Sequence, residues 1–246
     1  MPTSLRRSPN RLVTIDGPAG CGKSTVARSL ADRLHGVAFG TGVIYRLLTF
    51  LALEAGVDLT EPSQVLGVLA DNPLTLEVVG AELRVVAARG DTKVWTSGAE
   101  LHEPRVTREI HWLADAAEVR AALLPLQRAL PPDRIVVAEG RDLGTVVYPD
   151  APLKVFLTAS VEERARRRLA DWQQGAATES LDLAGVEAEI EARDRRDRGR
   201  PVAPLVAAPD ARVVDSTAQT VAMVVQEIMQ WVPKKWLAIE PGSSTT

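Results

Sequence analysis

Residues 11–34 read RLVTIDGPAGCGKSTVARSLADRL, and this stretch decides the fold. RLVTID is short, apolar and partly β-branched, the pattern of a buried strand. The segment from Ser24 onward repeats apolar residues at Val26, Leu30 and Leu34, the spacing of one helix face. Between them Gly17-Pro18-Ala19-Gly20-Cys21-Gly22-Lys23-Ser24 satisfies G-x-x-x-x-G-K-[ST]. Such a loop turns backbone N–H groups toward phosphate oxygens, and the helix that follows adds the positive end of its dipole. Lys23 is expected to span the β- and γ-phosphates of a nucleotide, Ser24 to hold Mg²⁺, and Thr25 to join the loop residues in binding ATP. At ordinary glycine usage the string arises by chance in roughly one chain of this length per hundred. Its place between a strand and a helix lowers those odds further.

Outward from this unit, Gly36 is expected to cap the helix in a left-handed conformation, and residues 37–39 to form a second strand. Residues 44–55 predict a helix with Ile44, Leu47, Leu48 and Leu51 inward and Gly56 at its end. LTLEVV and ELRVVA, within 74–95, predict a small antiparallel insert with turns at Val79-Gly80 and Arg89-Gly90-Asp91. One helical region is expected over 106–130, stopped by Pro131-Pro132. RIVVAEG (134–140) and LKVFLTA (153–159) predict buried parallel strands. Charged helices over 162–171 and 184–198, a last strand over 212–216 and a closing helix over 218–232 complete the chain. The alternation predicts an α/β fold, a parallel sheet flanked by helices. Residues 1–10 are expected to be a disordered tail, 11–232 the folded unit, and 233–246 a flexible end.

Composition narrows the ligand. Of the 246 residues 46% are hydrophobic, ample for a core, and 29 basic residues against 32 acidic ones leave a net charge of −3. No global cationic field exists for nucleic acid or anionic lipid. Aromatics at 4% are too sparse for base-stacking platforms. The expected partners are small molecules, with no nucleic acid and no membrane, and the chain is read as a monomer. One cysteine, Cys21, allows no intramolecular disulfide and is given no role, and His35, His102 and His111 have no zinc spacing. MPTSLRRSPN lacks an apolar signal core, so a cytoplasmic protein is expected.

A phosphate loop alone does not name a reaction. No N-K-x-D string is present, which argues against a GTPase. Three further segments carry arginine: Tyr45-Arg46; Glu139-Gly140-Arg141-Asp142; and Arg193, Asp197 and Arg200, spaced to share one helix face. Each alone reads as a solvated charged surface. Beside a phosphate loop they read instead as a clamp for a second phosphate, held in line with ATP. The run 162–168, EERARRR, is either a solvated helix face or a lid that closes over ATP and excludes water; the lid is preferred, with Arg164 and Arg168 reaching ATP.

Four strings together resemble bacterial cytidylate kinases over about Leu12–Val232: TIDGPAGCGKSTVARSLADRL, TGVIYRLLT, VVAEGRDLGTVVYPDAPLKVFLTASVEERARRR and EIEARDRRDRGRPVAPL. The resemblance implies a P-loop kinase core, a monophosphate-binding insert near 60–105, a lid near 160–180, and phosphoryl transfer from MgATP to CMP or dCMP. It implies that Lys23, Arg141 and Arg200 serve the transfer. Arg46, Arg141 and Arg200 fall on acceptor-phosphate arginines, Arg120 and Asp142 on cytosine contacts, and Arg193 and Asp197 on contacts to sugar and phosphate. The chain also departs from the family pattern. Gly40 stands where an aspartate is usual, Glu139 replaces an aspartate, His111 falls on a base-contacting serine and His102 on an arginine. The departures leave two alternatives: a nucleotide-binding paralogue with altered acceptor specificity or little transfer, and a kinase for another small acceptor.

Overall fold

A computed structural model describes residues 11–89, 92–95, 98–174 and 182–237. The expected tail at 1–10, the turn at Gly90-Asp91, residues 175–180 of the expected lid with 181 after it, and the last nine residues lie outside the described residues.

The elements in chain order are β1 (Leu12–Asp16), α1 (Lys23–Arg33), β2 (Val37–Gly40), α2 (Gly42–Glu54), α3 (Pro62–Asp71), β3 (Leu74–Val79), β4 (Glu82–Arg89), β5 (Thr92–Trp95), α4 (Pro104–Asp115), α5 (Ala117–Gln127), β6 (Val136–Gly140), β7 (Leu153–Thr158), α6 (Val161–Gln174), α7 (Leu183–Gly199), β8 (Arg212–Asp215), α8 (Val221–Met229) and α9 (Lys234–Leu237). A 3-10 turn covers Ala99–His102 and a single π-helical turn Leu143–Val147.

The strands form one sheet in the order β3-β4-β2-β6-β1-β7-β8, with β5 on β4. Strands β2, β6, β1, β7 and β8 run parallel, as predicted, and the insert strands β3, β4 and β5 pair antiparallel. The insert is tied to the main sheet, since β4 bridges β2 at Ala38↔Glu82. Alternation explains the layering. Leu12, Val136 and Ala138 face a core built with α2, α4 and α5, while Val13, Ile15 and Val137 face one built with α1 and α8. The register Asp16↔Gly140 and Gly40↔Glu139 ends three central strands side by side. The loops that follow therefore open on the carboxyl edge of the sheet, where α/β folds bind ligands.

Several expectations need correction. The left-handed residue closing α1 is His35 (φ 49°), not Gly36. Gly36 is needed for close approach, because a Cβ there would stand 2.5 Å from the Ile135 carbonyl oxygen. The single helix over 106–130 is two helices, broken where Ala116 turns extended (φ −77°, ψ 115°). The closing helix is shorter than 218–232, starting after Thr220, whose hydroxyl caps the Met223 N–H. The packed unit does not stop at 232: α9 buries Trp236 to 3% exposure in the α1–α8 core. Aromatic burial of that size outweighs the turn-rich composition around it.

Candidate active site

The loop after β1 is built by glycine. Gly22 adopts φ 89° as the N-cap of α1 and offers no side chain, so the first-turn N–H groups of α1 remain available to an anion. Asp16 fixes the base of the loop by accepting hydrogen bonds from the N–H groups of Leu143 (2.9 Å) and Gly144 (2.7 Å). Burial pushes its carboxyl up to about 6 despite those donors. The Lys23 ammonium is buried and donates to the Pro18 carbonyl at 2.7 Å. Ser24 Oγ donates to Glu139 Oε1 at 3.0 Å. Cys21 is fully buried with its Sγ 3.1 Å from the Pro18 carbonyl oxygen, a packing role.

Arginines from three parts of the chain face the loop. Arg46 on α2 is held by the Leu101 carbonyl (2.8 Å) and Thr107 Oγ1 (3.0 Å). Arg141, just past β6, donates to Asp197 Oδ2 (3.1 Å) and to the Gly17 carbonyl (3.0 Å). Arg200, at the end of α7, donates to Asp115 Oδ1 (2.6 Å) and Asp197 Oδ1 (2.7 Å). Desolvation, then repulsion from Arg141, lowers the proton affinity of Lys23, Arg46 and Arg193, the last to about 10. Cations that depress one another in one buried space are poised for an anion of several charges.

Deeper in the cleft, Arg120 and Asp142 form a buried ion pair. The Arg120 guanidinium also lies 5.8 Å from the centre of the Tyr45 ring. Two buried atoms here, Arg120 Nε and Tyr45 Oη, have no hydrogen-bond partner among the described residues. Buried polar atoms are seldom left unpaired, so this end of the cleft is furnished for a polar ligand.

One cleft of about 1130 Å³ is lined by Ala19, Gly20, Cys21, Gly22, Lys23, Ser24 and Thr25 on one side and by Arg46, Arg120, Arg141, Asp142, Arg193, Asp197 and Arg200 on the other, with Arg168 at its edge. Gly17 and Pro18 support the loop from beneath, through their carbonyls. The volume lies just above the roughly 300–1,000 Å³ usual for a small-ligand site.

Arg164 does not join them. It is 3% exposed, pairs with Asp194 at 2.8 Å and donates to the carbonyls of Ala19 (3.1 Å) and Ala159 (3.0 Å), bracing the loop from outside the cleft. The arginine of α6 that does reach the cleft, besides Arg168, is Arg167, which donates to the Cys21 carbonyl at 3.4 Å and the Ser216 carbonyl at 2.6 Å. Within a run of consecutive arginines sequence alone does not say which one faces the loop; Arg167 also pairs with Glu163 at 2.9 Å. Ser216, a cleft residue from the turn after β8, carried no sequence signal. His102 lines the cleft, whereas His111 does not; its Nδ1 lies 2.8 Å from the Arg108 carbonyl oxygen and its ring packs on Trp112.

A phosphate loop at the carboxyl edge of a parallel sheet, facing a second cationic cradle in the same cleft, defines a P-loop protein with an anion-binding cleft. The chain belongs to the cytidylate kinase family, whose sequence model matches residues 13–234. It is 41% identical over 234 residues to the bifunctional pantoate ligase/cytidylate kinase of Synechococcus sp. (strain JA-3-3Ab), covering 94% of this chain and 42% of that protein. The chain thus spans about two-fifths of the length of such fused relatives. It is 41% identical over 243 residues to the cytidylate kinase of Azotobacter vinelandii, covering 92% of this chain and 97% of the relative. With that of Citrobacter koseri it shares 39% over 228 residues, covering 91% and 96%. Among the described residues no helix is long and apolar enough to cross a membrane.

Proposed function

We propose that the protein transfers the γ-phosphoryl group of ATP to CMP and dCMP, giving ADP and the diphosphates, as a cytoplasmic monomer. The observation that carries this reading is the meeting of Lys23, Arg46, Arg141, Arg193 and Arg200 in a single cleft, opposite the free N-terminus of α1. A phosphate oxygen of the monophosphate attacks the γ-phosphorus, the bond to the β,γ-bridging oxygen breaks, and ADP leaves with that electron pair. No protein atom needs to form a covalent bond, so catalysis is positioning and charge neutralisation.

The residues divide the task. The loop N–H groups and Lys23 hold the donor phosphates. Arg46 and Arg200 hold the acceptor phosphate, and Arg141, which touches both the loop and α7, faces the group in transit. Arg120 and Asp142 supply donors and acceptors for the cytosine edge, and Asp197 and Arg193 face the sugar side. Arg168 and Arg167 stand at the donor edge as lid residues. The donor set of Ser24 Oγ and the Glu139 carboxylate, two hard oxygens in contact, fits Mg²⁺. When bound there, Mg²⁺ neutralises phosphate charge and orients the donor.

A second reading, altered acceptor specificity, is favoured by one observation: His111, on the position expected to read the base, is not among the residues that line the cleft and lies against the Arg108 carbonyl instead. A coupled assay over CMP, dCMP, UMP and AMP tests both. Preferential turnover of the cytidine nucleotides is expected; equal or better turnover of UMP or AMP overturns the base assignment, and nucleotide binding without ADP formation overturns the kinase reading.

A further inference from the structure

Gly40 and Glu139 are directly paired in the β2–β6 register. A Cβ built on Gly40 would meet Glu139 Oε1 at 3.1 Å, and that same oxygen accepts the Ser24 hydroxyl at 3.0 Å. The space beside the phosphate loop that a side chain at position 40 would fill is therefore occupied from the neighbouring strand. The geometry points to a coupled pair: Glu139, reaching over Gly40, is the positioning residue that holds Ser24 at the mouth of the phosphate loop, and Gly40 is the room this reach requires.

Each part follows from size and charge. Position 139 backs directly onto the loop, because β6 lies beside β1 with Ile15↔Glu139 in register. Its backbone is locked independently of its side chain, since the Glu139 carbonyl accepts both the N–H (3.1 Å) and the hydroxyl (3.0 Å) of Thr41. The carboxylate therefore swings on a fixed stem. It also faces Lys23 and Arg46, whose positive charge it partly offsets. A side chain at position 40 would push the far end of Glu139 off Ser24, and an aspartate there would add a second carboxylate against the first. The departure at position 40, which on sequence alone reads as a missing acid, is thus matched by the longer acid at 139. Reinstating aspartate at 40 alone should harm the site rather than repair it.

This inference rests on the kinase reading, and the experiment separates the two. Wild type, Gly40→Asp, Gly40→Ala, Glu139→Gln, Glu139→Asp and the double variant Gly40→Asp/Glu139→Asp are compared for kcat, KM for CMP, affinity for a fluorescent ATP analogue, and Tm without nucleotide. Glu139→Gln should lower kcat at least tenfold with KM for CMP and Tm little changed. Gly40→Asp should lower kcat at least tenfold, and the double variant should recover most of that loss, exceeding either single Asp variant. Gly40→Ala, which adds only the crowding Cβ, should lower kcat severalfold at unchanged Tm and covers the case in which Gly40→Asp does not fold. Gly40→Asp as active as wild type, or effects at 40 and 139 that simply multiply, would overturn the pairing. If wild type phosphorylates no monophosphate, the kinase reading fails, while additive or non-additive shifts in analogue affinity still decide whether the two positions are coupled.

Discussion

Arg141 donates to Asp197 across the cleft at 3.1 Å, and the same guanidinium reaches the Gly17 carbonyl at 3.0 Å. One planar group thus joins the phosphate loop to the helix that carries Arg193 and Asp197 and ends just before Arg200. Arg141→Lys keeps the charge but loses the fork that serves both partners. It should lower kcat by about 10²-fold and raise KM for both ATP and CMP, measured by steady-state kinetics. A change confined to one substrate would show that Arg141 serves only one side.

Lys23 is a cation kept in a buried site, where desolvation and Arg141 both act against its charge. Its removal should cost transfer and not stability. Lys23→Met is expected to reduce kcat/KM by about 10³-fold, while Tm without nucleotide stays level or rises. Near-normal turnover, or a large fall in Tm, would show that the ammonium is structural.

Arg164 and Asp194 behave as a buried strut between α6 and α7. Truncating one member leaves the other charge buried and unpaired, at a cost of about 3–5 kcal/mol. Arg164→Ala should therefore lower the urea midpoint strongly, and Arg164→Ala/Asp194→Ala should recover part of the loss. A lid arginine would respond differently, with raised KM for ATP at unchanged stability; that is the outcome expected of Arg167→Ala.

The phosphate loop was legible because glycine spacing, lysine and flanking periodicity all encode local geometry, and the central strands because each is a short apolar run. Arg193 and Asp197 were legible together because helix spacing aligns them, whereas Arg200 lies one residue beyond α7 in an extended conformation (φ −58°, ψ 132°) and reaches the group through its ion pair with Asp197 rather than through helix phase. What escaped depends on contacts distant in sequence. Whether Arg164 or Arg167 faces the loop is a matter of helix phase, which Asp194 settles by burying the former. The role of Glu139 depends on which strand lies next to it, and Gly40 lies 99 positions away in the chain but adjacent in the sheet. The expected tail hid Trp236, whose burial needs the α1–α8 surface to exist first.

Asp16 gives the fold a pH dependence whose sign is fixed by burial. Its carboxyl is pushed up from 3.8 to about 6 in the folded protein. The folded state therefore binds the proton more tightly than the unfolded chain, and between about pH 4 and 6 stability falls as pH rises. A shift of that size corresponds to roughly 3 kcal/mol, present in full below the unfolded value and lost above the folded one. Asp16→Asn removes the titration, although the amide nitrogen that replaces one of the two oxygens accepting from Leu143 and Gly144 cannot accept. Urea unfolding of both proteins from pH 4 to 7.5 should show the variant less stable at the acid end and the gap narrowing as pH rises. A gap that stays constant or widens would mean that the two backbone donors outweigh desolvation and hold Asp16 ionised throughout.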